Sequence, residues 1–501
     1  GDGSNRIVVL RESNAVDFDP VNGTDYTANA DFSAGTGVGP SSDNKVVYNG
    51  SGTSVSVTGL SLGTTYHVEI FEYNGSGGTE SYRTPGVTES QTTDSVYRTV
   101  SSGNVNWDDT ASWQIGSIPP AGAEVEIQTN TILDVNATVS DITITSGKTL
   151  TSESGQGRTL TIQGGGTFTN DGTFTANDGS VSFSGAGTIS GNTTFNDVDI
   201  AGGVDFGSNS TIDGNLTIES GGSVDNGNPP SYTGNSTLIY SDNGQTYGRS
   251  TEWSSTSGAG YPNNVIIQDN TTLNLGANGG TATTRQIAGD LTVNTGSTLS
   301  MDENGEEMTA ALTVLGDFTN EGTVELSSLS GGDLRLQGDF NDNGSFTANG
   351  RAVFFEGGSL QNINSNSNPL EIDVMRINKP GGEVVMDQNL EVTKTGDPLI
   401  FSTSNSFLNL NGNNLTIGED GTTSSITYNG GAFKGTSTSS MTIEGNGTLG
   451  GGLVFDSNND LGDLTISRAN SGLMKLNSAL NVSNDITIEE GTFELSAANN
   501  L

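Results

Sequence analysis

"GDFTNEGTVEL", Gly316–Leu326, returns 22 residues later as "GDFNDNGSFTA", Gly338–Ala348. In both copies a Gly-Asp pair leads into Phe, an Asn-bearing turn follows, and a short β-type run closes the phrase. Short apolar segments punctuated by turn formers read as strands joined at tight corners. The second copy also spells D-x-N-x-N-G through Asp339, Asn341 and Asn343, the opening of a calcium loop. The twelfth position of such a loop needs an acidic ligand, and here it is Gly350. The first copy lacks the pattern altogether. The phrase is punctuation in a repeat, and Asp339 is a weak calcium candidate.

The same grammar runs through most of the chain. Apolar–polar–apolar triplets recur as "ITI" at Ile142 and Ile486, "LTI" at Leu160, Leu216, Leu415 and Leu464, and "LTV" at Leu291 and Leu312. Adjacent copies lie 18 to 26 residues apart, and looser versions such as "VII" at Val265 and "MRI" at Met375 fill the larger gaps. A period near 20 residues signals stacked supersecondary units. Each triplet should send two side chains inward and one outward. In the quoted phrase, "GDF" should turn a corner and drop Phe318 or Phe340 into the core, and "NEG" or "NDNG" should make the next turn. The expectation over residues 141–501 is a long single-stranded β-solenoid, a parallel β-helix, with rungs of about 18–26 residues. Roughly 16 rungs would make a rod of about 80 Å. The native chain is expected to continue beyond Leu501.

Composition agrees with an all-β, turn-rich protein. The chain holds 72 Gly among 501 residues, and only 31% are hydrophobic. Its net charge is −41, from 17 basic and 58 acidic residues. That balance disfavours nucleic acid and anionic membranes, which need a basic footprint, and leaves divalent cations as reasonable partners. With no Cys, disulfides and thiolate metal sites are excluded. No apolar run is long enough to cross a bilayer.

Two further segments precede the repeats. Residues 94–140 hold the end of a short linker, "ESQTTDS" (Glu89–Ser95), and a stretch bearing Trp107 and Trp113. An open strand stack needs its edge covered, so these aromatics read as an amino-terminal cap. Residues 1–93 read as a small β module. In "LSLGTTYHVEIFEYNGSGG", Leu60–Gly78, Tyr66 follows a turn and opens an alternating strand. A Tyr so placed suits a tyrosine corner. Together with "GDGSNRIVVLRESNAVDFDP", this region resembles a fibronectin type III module of the kind found in surface proteins of Bacteroidota. The resemblance implies a β-sandwich, here lacking its first strands.

Little in the chain speaks for catalysis. His67 is the single His and is placed outward on its strand, which removes triads and multi-His zinc centres. "MDENGEEM" gathers Asp302, Glu303, Glu306 and Glu307 in a loop, a second weak calcium candidate. Arg335, Arg376, Lys379 and Lys394 fall on different rungs and form no lyase-like group. The insertion Ser241–Asn264 collects Tyr247, Arg249, Trp253 and Tyr261 outside the triplets. Such a set either covers a flank of the rod or forms a patch for a glycan or protein partner.

Module, cap and solenoid together resemble large surface proteins of Bacteroidota exported by the type IX secretion system. The resemblance implies a non-enzymatic, extracellular stalk or adhesin segment at the bacterial cell surface, of the sort used in gliding motility. It implies the secretion translocon as a partner during export and glycans or other surface proteins afterwards; the residues themselves leave no catalytic group and no cofactor beyond calcium. It also makes Ser95 in "DSV" and Thr110 in "DTA" O-glycosylation candidates. The alternatives are a carbohydrate-active β-helix enzyme, lyase or hydrolase, or a glycan-binding module. Either needs charged side chains from neighbouring rungs to converge in a groove with aromatics beside it. An ice-binding solenoid would need a regular Thr array, which "TFT" at Thr167 and Thr173 does not sustain.

Overall fold

The computed structural model describes residues 3–225 and 227–496. The quoted phrase supplies the design of one turn. Leu312–Val314, Phe318–Asn320 and Thr323–Glu325 form three short strands, one on each side of a coil. One turn later Leu334–Leu336, Phe340–Asp342 and Ser345–Thr347 lie directly against them, in parallel and residue for residue. About 17 such turns stack into a β-solenoid. Its longest strand stack runs from Val96–Arg98 to Asn481–Val482. The first of these strands pairs in parallel with Ala123–Ile127, so the segment carrying Trp107 and Trp113 belongs to the coil's first turn. The two indoles meet edge to face at 5.1 Å, and Trp113 Nε1 donates to the Trp107 carbonyl at 3.0 Å.

The triplets bury as their alternation requires. Leu291, Val293, Leu312 and Val314 are fully buried while the Thr between each pair is half-buried. Each turn contributes only a few such side chains, but they stack into one continuous core along the rod. Dispersion and area burial between neighbouring turns therefore carry the fold, with the backbone ladders.

The Gly-Asp pair has a specific task at the corner. Asp290 Oδ1 accepts the backbone N–H of Asp317, Asp317 Oδ1 accepts that of Asp339, and Asp339 Oδ1 accepts that of Asn362, each at 2.8 Å. Asn264 starts this run by accepting from Asp290 N at 2.9 Å. Each side chain thus satisfies a donor one turn further on that the corner would leave unpaired. The carboxylate and the backbone of the preceding turn both lie where a Cβ on the next glycine would stand, which is why Gly316 and Gly338 precede Asp317 and Asp339. "NEG" behaves differently from the sequence expectation. Asn320 and Asp342 are not turn residues but strand ends pointing into the core, where Asn320 Nδ2 donates to Asp342 Oδ1 at 2.7 Å. Burial pushes the Asp342 carboxyl up.

The amino-terminal region departs from the sandwich expected of it. Asn5–Glu12 pairs antiparallel with Asn44–Gly50 on one side and Thr65–Asn74 on the other. Gly37–Val38, Ser81–Tyr82 and Val87–Thr92 complete one curved sheet, a half-barrel, in place of two facing sheets. The stretch between Glu12 and Asn44 supplies loop aromatics more than strands. Phe18 and Tyr26 close over one face and Phe32 over the other. Tyr66 is buried, and its hydroxyl accepts the Ser61 N–H at 2.9 Å. The expected continuation past Leu501 lies outside the described residues.

Candidate functional site

The insertion Ser241–Asn264 sits where the rod changes cross-section. The side stack ending at Ser231–Tyr232 stops there, and two new stacks begin at Thr246–Gly248 and Arg285–Ile287. One short 3-10 turn, Thr251–Trp253, plugs the junction. Trp253 is fully buried, with its indole N–H donating to the Gln286 carbonyl at 2.9 Å. Arg249 is buried too and spends its guanidinium on the carbonyls of Leu275, Ser250, Trp253 and Ala277. Tyr247 packs beside Tyr240 at 5.2 Å. Only Tyr261 is partly exposed, and its hydroxyl accepts from Gln286 Nε2 at 2.9 Å. Of the two readings the sequence left, cover for a flank or a partner patch, these side chains act as packing: they form an internal plug, because aromatic bulk is what a widening column needs to stay filled.

Two charged residues that sequence reasoning missed join this plug. Glu252 is fully buried; its Oε1 accepts from Tyr240 at 3.0 Å and from Ser250 N at 2.8 Å. Burial raises its carboxyl above the ordinary range. Arg285 is 2% exposed, and burial together with the Arg249 charge lowers it to about 10. Glu252 Oε2, the Tyr247 hydroxyl and Arg285 Nε have no protein hydrogen-bond partner. A fully buried acid among tyrosines holds shape without doing chemistry on a polymer, since no polymer reaches it. Nothing in the local spacing marks Glu252 as internal; only the missing triplets around it hint at an irregular turn.

Glu252 gives a pH prediction. Its folded value lies above the unfolded one, so folding takes up a proton. The carboxyl's contribution is greatest below the unfolded value, about 4.5, and is lost as pH climbs through the folded value. Glu252→Gln should therefore be more stable than wild type at neutral pH, by about 1 kcal/mol. The two should converge as pH falls toward 4.5. Urea denaturation across that range checks it.

A surface groove of about 500 Å³ forms where three later turns bring charges and an aromatic together. Lys434 Nζ lies 2.8 Å from Glu383 Oε2, 3.9 Å from Asp456 Oδ2 and 4.4 Å above the Phe407 ring. Asn409 Nδ2 donates to Glu383 Oε1 at 3.2 Å. Burial alone would raise the Glu383 carboxyl, but the Lys434 ammonium and the Asn409 amide hold it below its ordinary value. An acid so held stays ionised and paired, the opposite of what a general acid needs. Leu360 and Asn405 edge the groove, and Leu360 is 51% exposed. Glu383 and Lys434 are 51 residues apart, two turns of the coil, so no local motif could reveal their meeting.

The remaining candidates disperse. Asp302 accepts from Ser328 N, Glu306 from Asn274 Nδ2 and Glu307 from Gly305 N, three different directions. Among the described residues no three His, Cys, Asp or Glu side chains gather in a way that could hold a metal ion. Asp339 is engaged in the corner ladder. Arg335 grips Glu356 and stacks on Phe354 at 4.1 Å. Lys379 is fully buried, with its amine on Gln361 Oε1 at 2.7 Å and on the Ser359 carbonyl; burial lowers it to about 8. His67 is half-buried on its strand. Ser95 and Thr110 are exposed, Thr110 opening a short turn capped by Asp109.

No known protein family, no curated protein and no solved structure matches the chain.

Proposed function

We propose that the chain is a non-enzymatic, load-bearing spacer of a secreted bacterial surface protein: a stalk or adhesin segment that holds a binding module away from the cell. The observation that carries this reading is the unbroken parallel stack from Val96–Arg98 to Asn481–Val482, with a core that never parts. A rod built this way resists bending because every turn is hydrogen-bonded and packed to the next. The strong negative charge keeps such rods soluble and apart. Export by the type IX system and a fibronectin-like origin for the amino-terminal sheet belong to the same proposal. The Tyr66–Ser61 contact, of tyrosine-corner type, supports the latter.

The groove at Phe407 favours one second reading, in which the rod also touches a glycan. Its aromatic, amide and acidic lining suits a sugar, although the ammonium already covers one ring face.

Small-angle X-ray scattering tests the main proposal. About 17 turns should give a rigid column of about 80 Å, unchanged in cross-section from low to high salt. A compact or segmentally flexible particle would count against it. Incubation with a polysaccharide panel separates the readings: depolymerisation speaks for an enzyme, saturable binding without cleavage for the glycan contact.

A further inference from the structure

We propose that Asn304 and Gly305 form a self-processing site, at which Glu307 assists conversion of Asn304 to aspartate or isoaspartate through a cyclic imide. The loop from Asp302 to Glu307 runs between two buried methionines. Met301 N donates to the Glu325 carbonyl and Met308 N to the Met301 carbonyl, both at 2.9 Å, so the loop is pinched at its base. Asn304 and Gly305 at its tip are exposed. The Gly305 N–H donates to Glu307 Oε1 at 3.1 Å. Gly305 sits at φ +83° with no atom within 4 Å of where a Cβ would be.

A carboxylate aimed at that N–H is what imide formation needs. Glu307 takes the proton from Gly305 N, and the nitrogen attacks Asn304 Cγ, forming a new C–N bond. The Asn304 Nδ2 departs as ammonia, carrying the proton that Glu307 returns. Water then adds to either imide carbonyl and reopens the ring. One opening leaves aspartate; the other leaves isoaspartate, with a methylene inserted in the backbone. The sum is amide plus water to acid plus ammonia, and it requires no other reactant.

Four other Asn-Gly pairs, at Asn243, Asn278, Asn349 and Asn411, are restrained. The Gly244 N–H is held by the Asp269 carbonyl at 3.0 Å. The Asn278 amide donates to the Arg249 carbonyl at 2.7 Å, and the Asn349 amide to the Leu326 carbonyl at 2.7 Å. Asn411 is tied through its amide to Asp387, and Gly412 N to Ser439 Oγ. At Asn304 the carboxamide is exposed and the neighbouring nitrogen already faces a base.

The test is time-resolved peptide mapping by mass spectrometry on the full folded chain at neutral pH. Asn304 should undergo the amide-to-acid exchange faster than Asn243, Asn278, Asn349 and Asn411. Glu307→Gln should slow it on the order of tenfold, while Glu306→Gln leaves it unchanged. In urea, wild type and Glu307→Gln should convert alike. Slower conversion at Asn304 than at the restrained pairs overturns the proposal. So does a Glu307→Gln rate equal to wild type, or a difference that persists in urea.

Discussion

Phe340→Ala should destabilise the solenoid by about 3–5 kcal/mol. The ring is fully buried and stacks on Phe318 of the preceding turn at 5.3 Å. It also meets Phe346 at 5.4 Å and Phe355 at 6.3 Å. Removing it empties a cavity bounded by three rings, and neighbours held by backbone ladders cannot collapse into it. Because each turn touches mainly its neighbours, the damage should stay local. Hydrogen exchange should accelerate in the strands from Leu312 to Phe355 and stay near wild type around Leu160 and Leu216. Uniform acceleration along the whole rod would contradict this picture of the core.

Gly316→Ala should cost about 2–4 kcal/mol, unusual for a half-buried corner. A Cβ there would fall on Asp290 Oδ1 and lie 2.6 Å from the Gly289 carbonyl carbon. Removing the carboxylate cannot relieve the backbone clash, so Asp290→Ala should not rescue Gly316→Ala. Gly289→Ala makes the useful contrast. There the added Cβ meets chiefly Asn264 Oδ1, with backbone no nearer than 3.1 Å. Asn264→Ala should rescue a good part of that loss. A double-mutant cycle read by urea denaturation distinguishes the two corners. Equal rescue at both would mean that the side-chain ladder alone dictates the glycines.

Architecture was legible where the period was strong. The triplets at Leu291, Leu312 and Leu334 announce their own burial, since alternation over three residues has one solution when one face is dry. The rod, its core and the corner role of Gly-Asp all follow from that. The inward turn of Asn320 and Asp342 did not, because each relies on a partner one turn away that makes a buried polar end tolerable. The half-barrel was misread for a related reason: Phe18, Tyr26 and Phe32 cover the sheet from loops, and no alternation records that. Site geometry was least legible. Trp253 and Arg249 read as flank cover or as a partner patch in a window, and only the coil's return shows them filling the junction where side stacks change. Glu383 and Lys434 meet only because the coil returns them to the same wall.

The corner ladder has a direction, and that direction bears on how the rod is made. At each step from Asn264 to Asn362 the acceptor lies on the earlier turn and the donor on the later one. A completed turn therefore offers a waiting oxygen to the amide about to arrive, but offers nothing comparable backward. A chain that folds from its amino end can settle one layer at a time, each layer the mould for its successor. Such growth is vectorial: each seated layer presents the oxygen that the corner amide of the next layer meets.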